Sequence, residues 1–163
     1  MIVGIDPGAS GAIAWMTDDG HLVEVRDLPT VKIKVGEGKR TRLVPSVLAA
    51  FLRERSVVHA FLEDVGPMPN DGAVQSFNLG RSFGQIEGAL AAAGLAYTMV
   101  RPQVWKRDLS LGRDKSASRA RACQLWPGAA ASFARVKDDG RAEAALIALH
   151  GSGRMHGLAA FAA

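Results

Sequence analysis

Four carboxylates carry the chemistry this chain can do: Asp6, Glu63, Asp139 and Glu143. Asp6 closes the run Ile-Val-Gly-Ile-Asp6 and is followed by Pro7-Gly8, so a β-branched strand ends on an acid beside a tight turn. An acid in that place holds a divalent metal, faces the phosphates of a nucleotide, or merely caps its own turn. Glu63 ends a second short apolar run, His59-Ala-Phe-Leu-Glu63. Asp139 and Glu143 stand four apart at the head of the apolar stretch Ala144–Leu149, and therefore share one helical face. Acids also favour a first helical turn for the dipole alone, and Asp138 is a natural cap for that helix. Brought together without a cation, four carboxylates repel and raise one another's pKa. A pair of Mg²⁺ ions roughly 3.5–4 Å apart relieves that repulsion and drives in-line phosphoryl displacement. Oxygen-only ligands suit Mg²⁺ or Mn²⁺ and disfavour zinc.

The elements that must position these acids follow an α/β pattern. Residues 2–6, 11–16 and 21–28 read as strands, the last two joined by the turn Thr17-Asp18-Asp19-Gly20. Residues 29–42 read as a basic, glycine-containing loop. A helix follows at 44–55, then the strand ending in Glu63 and a breaker-rich loop at 64–72. A long helix covers 73–93, a fifth strand 95–100, a short helix opens at Pro102, and further helices cover 115–125 and 139–150, with 127–137 irregular between them. The expected fold is α/β with a five-stranded mixed sheet flanked by helices. Its expected extent is one domain over residues 1–151, with a flexible tail over 152–163.

The 163 residues are 48% apolar and 22% charged, an ordinary globular balance. No apolar run approaches the roughly 18 residues that span a membrane. The opening residues lack the basic stretch of a signal peptide. A single cysteine, Cys123, excludes an intramolecular disulfide and a cysteine-based zinc site. The expected setting is cytoplasmic, with no membrane partner and no small-molecule cofactor. Net charge is +4 and unevenly placed. Residues 101–121 carry seven Lys or Arg against two Asp, and residues 32–42 carry five against Glu37. Two such patches suit a polyanionic partner, although one alone serves equally well to solvate a surface.

The motifs GIDPGASG, FLEDVGP, FNLGRSFGQIEGALAAAGLAYTMVRPQVWKRDL and KDDGRAEAALIALHG occur in this order over residues 1–151. Together they resemble the RuvC-type Holliday junction resolvases of the RNase H-like superfamily, and in particular the compact phage and prophage relatives. The resemblance implies an RNase H-like fold and a Mg²⁺-dependent endodeoxyribonuclease, with Mn²⁺ able to substitute, that nicks four-way junctions or related branched DNA. It implies that Asp6, Glu63, Asp139 and Glu143 are the catalytic metal ligands. Lys106 and Lys115 stand at basic positions that in the family approach the junction backbone near the scissile phosphate. Arg107, Arg113, Arg119 and Arg81 join them as candidate nucleic-acid contacts. Two departures stand out. Many cellular members carry acids three apart on the last helix, whereas here Ala142 takes the third place and Glu143 the fourth, and Asp138 competes with Asp139 as the ligand. Where some members place an aromatic after the second acid, Gly66-Pro67-Met68 stands, leaving Met68 or Phe77 to wedge the branch point. The resemblance also implies a symmetric homodimer. Phe77, Leu79, Phe83, Ile86 and Leu90 give the long helix more apolar faces than one core needs. Two other classes compete: an actin-like ATPase, for which the chain is too short to supply a second lobe, and an RNase H-like module that acts on RNA or flaps, or binds branched nucleic acid without cutting it.

Overall fold

A computed structural model describes residues 1–8, 10–112 and 114–155, apart from the side chain of Lys115. In chain order the elements are β1 (Ile2–Asp6), β2 (Ala12–Met16), β3 (Leu22–Asp27), β4 (Thr30–Val35), β5 (Gly38–Leu43), α1 (Pro45–Arg53), β6 (His59–Glu63), α2 (Ala73–Ala92), β7 (Tyr97–Val100), α3 (Pro102–Asp108), α4 (Lys115–Leu125) and α5 (Asp139–Met155). Two 3₁₀ turns, Pro127–Ser132 and Val136–Asp138, join α4 to α5.

Five strands form one mixed sheet in the order β3-β2-β1-β6-β7. The first three make an antiparallel meander, while β6 and β7 add in parallel beyond β1. The strands alternate strictly between two cores, as a period of two demands. Val3, Ile5, Ile13, Trp15, Ala60 and Leu62 face α1 and α2. Ile2, Ala12, Ala14, Met16 and Phe61 face the other way, into a core built largely on α5. That helix is lined with buried alanines at 142, 144, 145 and 148, so it lies close against the strands. No helix among the described residues is long and apolar enough to cross a membrane.

One expectation is overturned. Residues 29–42 are not a loop but an antiparallel hairpin, β4 paired to β5 from Thr30↔Leu43 to Val35↔Gly38. Val31, Ile33 and Val35 alternate with Lys32 and Lys34, which is the period of a strand. Gly36 adopts φ +59° at the first position of a two-residue turn, a conformation open to glycine and costly for other residues. Smaller differences lie at element ends. The fifth strand of the main sheet begins at Tyr97, the stretch 127–137 contains two 3₁₀ turns, and α5 continues past 150 to Met155. Residues 152–155, expected in the tail, are thus helical, and the rest of the tail lies outside the described residues. On α2, Ile86 and Leu90 are spent on the chain's own core, while Val74 and Phe77 are exposed.

Candidate active site

Sheet register brings the first two acids together. β1 and β6 run parallel with Ile5 opposite Leu62, so the next residues, Asp6 and Glu63, end adjacent strands on the same face. That is the face covered by α5. The Asp6 Oδ1 accepts a hydrogen bond from the Gly8 N–H at 3.2 Å, fixing the turn that carries the chain away. The first turn of α5 rests against this carboxylate. A methyl group at Gly140 would meet Asp6 Oδ2 at 2.7 Å and the Ser10 carbonyl at 2.3 Å, so this approach requires glycine. Glu143, one turn further on, then reaches the same spot. Carboxylate oxygens of Asp6, Glu63 and Glu143 all lie within 4.8 Å of one another.

Glu63 is buried, and its pKa is pushed up to about 7. Burial is the main cause and the Asp6 charge adds to it, against the pull of a hydrogen bond from the Trp105 indole. That bond, Nε1–H to Glu63 Oε1, is 2.9 Å long, and Trp105 itself is fully buried. The next residue, Lys106, places its ammonium 2.9 Å from Glu143 Oε1 and 5.0 Å from the centre of the Trp105 ring. Two consecutive residues of α3 therefore serve two different acids. Nothing local in the sequence assigns Trp105 this role. The available signal is that a buried indole N–H needs a partner.

Asp139 stands apart from the three clustered acids: its Oδ1 pairs with Arg119 Nε of α4 at 2.6 Å. Asp138 is more deeply buried and already committed. Its carboxylate accepts from the backbone N–H, Nε and Nη2 of Arg135 at 2.8–2.9 Å. The Arg135 guanidinium pulls its pKa down to about 2. Asp138 thus turns back to close the preceding 3₁₀ turn instead of capping α5 forwards.

The candidate nucleic-acid residues are dispersed. Lys106 and Arg119 lie beside the acids as described. Arg107 is exposed and pairs with Asp108, Arg81 is exposed on α2, and Met68 is exposed in the loop after β6, its N–H bonded to Asp71. Lys115 opens α4, but its side chain and all of Arg113 lie outside the described residues.

The donor set fits a hard dication. It is all oxygen, it is crowded, and burial raises the pKa of its most buried member to about 7. No protein-family model matches the chain, and no curated protein does. Solved structures do. Thermus thermophilus RuvC in complex with a Holliday junction substrate aligns over 96% of this chain and 96% of its own, with a TM-score of 0.59 at 13% identity. A second Thermus thermophilus RuvC structure aligns over the same shares, at 0.59 and 14%. The chain has a RuvC-like fold. Its five-stranded mixed sheet flanked by helices is the RNase H-like arrangement of those RuvC structures, as the resemblance implied.

Proposed function

We propose that the chain is a metal-dependent, structure-selective endonuclease that nicks four-way junctions or related branched DNA by phosphodiester hydrolysis. One observation carries this reading: three carboxylates converge at the ends of adjacent parallel strands within a RuvC-like fold. The Thermus thermophilus RuvC of that fold was solved on a Holliday junction substrate.

Asp6, Glu63 and Glu143 would hold Mg²⁺ or Mn²⁺, joined by Asp139 once it leaves Arg119. Bound there, the ions supply Lewis-acid stabilisation of the phosphoryl oxygens and a water of lowered pKa. The chain's own residues prepare that site. Trp105 fixes the rotamer of Glu63 through its indole N–H. Lys106 orients Glu143 and keeps a positive charge where a phosphate must arrive. Gly140 lets the positive end of α5 press against Asp6. The active form is a two-fold dimer, since paired nicks need two sites at a fixed separation. Exposed Val74 and Phe77 on α2 supply apolar surface for it.

The test is a panel of labelled four-way junction, flap, linear duplex and RNA–DNA hybrid, each with Mg²⁺ or with EDTA. The junction should be cut in paired nicks only with metal, and Asp6→Asn should reduce cleavage to background while the protein stays folded. A monomer that nicks linear duplex as readily as the junction would reduce the reading to a general nuclease. Undiminished cleavage by Asp6→Asn would remove the acid cluster from the mechanism.

A further inference from the structure

We propose that the β4–β5 hairpin is a second nucleic-acid contact, one that seats the phosphate backbone of a duplex arm away from the acids. The inference rests on the nuclease reading and adds a binding element to it.

The register sets the geometry. Lys32 pairs with Thr41 and Lys34 with Lys39, so three lysines share one face of the ribbon, all of them exposed. Like charges placed directly opposite one another weaken a strand pair. A two-stranded ribbon has little stability to spare. Acids on the same face would have relieved this repulsion, yet the only acid in the ribbon, Glu37, is in its turn. Among the described residues, none of Lys32, Lys34, Lys39 and Arg40 has a carboxylate partner. Three arginines elsewhere are matched, Arg26 with Glu24 and Glu54, Arg55 with Glu24 and Arg141 with Asp27, while single unmatched cations such as Arg81 and Lys137 are scattered and not gathered on one face. Lysines that only guard a sheet edge against aggregation could alternate with acids. A face of lysines alone favours a polyanion.

The ribbon is also held in a defined place. Leu43 at its root is buried, the Val44 N–H bonds the Pro29 carbonyl at 2.8 Å, and Arg42 donates to Asn78 Oδ1 of α2 at 2.9 Å. A groove of about 620 Å³ lies between the hairpin and α2, on the side of the sheet opposite α5. It is bounded by Pro7 and Gly8, which follow Asp6, by Arg40 and Thr41 of β5, and by Gln75 and Asn78 of α2. Six residues of strand span about 20 Å.

The test uses the full chain with Lys32→Ala, Lys34→Ala and Lys39→Ala combined. Equilibrium binding to a four-way junction and to linear duplex is measured in EDTA across a salt series. The triple variant should bind both about tenfold or more weakly at low salt. Its salt slope should be smaller by roughly 0.9 for each phosphate that it no longer neutralises. Replacing the same three lysines by Arg should preserve both affinity and slope, which a merely structural role for lysine would not predict. An Ala variant that melts as the wild type does, yet keeps wild-type affinity and slope, overturns the hairpin contact. If the wild type still cuts the junction, the nuclease reading stands in that case. A wild type that binds no nucleic acid of any form overturns both.

Discussion

Like charges are crowded in two places on this molecule, and they are crowded differently. At the ends of β1 and β6, Asp6 and Glu63 converge with Glu143, and Glu63 is removed from water. On the β4–β5 hairpin, Lys32, Lys34 and Lys39 stand together exposed to water. Burial strips the Glu63 carboxylate of water and the Asp6 charge adds poorly screened repulsion, so Glu63 retains a proton near pH 7. Repulsion between the exposed ammonium groups is screened by water and salt and is weaker than that between the buried acids. Burial therefore creates a site that demands a compact dication held among fixed oxygens. Exposure creates one that gains from a long, mobile polyanion.

The largest expected effect breaks the acid side. Glu63→Gln should reduce metal-dependent cleavage to background, because an amide cannot supply the anionic oxygen. The same substitution should alter stability with a definite sign. The carboxyl titrates at 4.5 when exposed and at about 7 in the fold. Below the lower value it is protonated in both states and carries no penalty. Between the two values the unfolded chain ionises while the fold holds its proton. Stability therefore falls by about 3 kcal/mol across that window and levels off above about 7. Urea unfolding in EDTA should show the wild type markedly less stable at about pH 8 than at about pH 5, and Glu63→Gln largely free of this loss. Mg²⁺ should restore the wild type at the higher pH and leave the variant little changed. Equal pH profiles for the two proteins would show that the cluster is not crowded.

A smaller effect lies between the two regions. Lys106 belongs to the acid side by contact and to the basic patch by charge. Lys106→Ala should weaken junction binding about tenfold and lower the salt slope by about one unit, as expected when one phosphate goes unneutralised. Unlike the hairpin substitutions, it should also slow cleavage at saturating DNA, since Glu143 is left without the partner that orients it. Weaker affinity without a change in turnover would place Lys106 with the hairpin as a contact only.

Much of the acid side is legible from residue order. Apolar runs ending in Asp6 and Glu63 announce strand ends, although only the parallel register of Ile5 with Leu62 puts both acids on one face. The apolar stretch after Glu143 announces the helix that must dock there. What is not legible depends on contacts across long separations. The Trp105–Glu63 bond joins residues 42 apart, and the Arg119–Asp139 pair joins residues 20 apart. No periodicity encodes either. The hairpin is a different case. Its alternation is present at Val31, Ile33 and Val35, but glycines and a dense run of cations read equally as a loop. Only pairing with a second strand of the same period separates the two.

The smallest effect concerns Asp138, and it tests which acid of the Asp138-Asp139 pair belongs to the site. Asp138 accepts three hydrogen bonds from Arg135, closing a 3₁₀ turn just ahead of α5. Asp139 meets Arg119, a partner on another helix that a stronger cation can replace. Asp138→Asn keeps an acceptor for the Arg135 backbone but loses the charge that faces its guanidinium. The expected cost is about 1 kcal/mol, in the range of a missing cap. Because Arg135 holds the Asp138 carboxyl at about 2, below its ordinary 3.8, this stabilisation is present above 3.8 and disappears as pH falls towards 2. The melting difference between wild type and Asp138→Asn should therefore narrow in acid. Cleavage should change little, whereas Asp139→Asn should cost far more activity than stability. The reverse, an inactive Asp138→Asn beside an active Asp139→Asn, would mean that α5 rotates by one residue when it meets metal. The Arg135 contacts would then be what the site gives up to bind it.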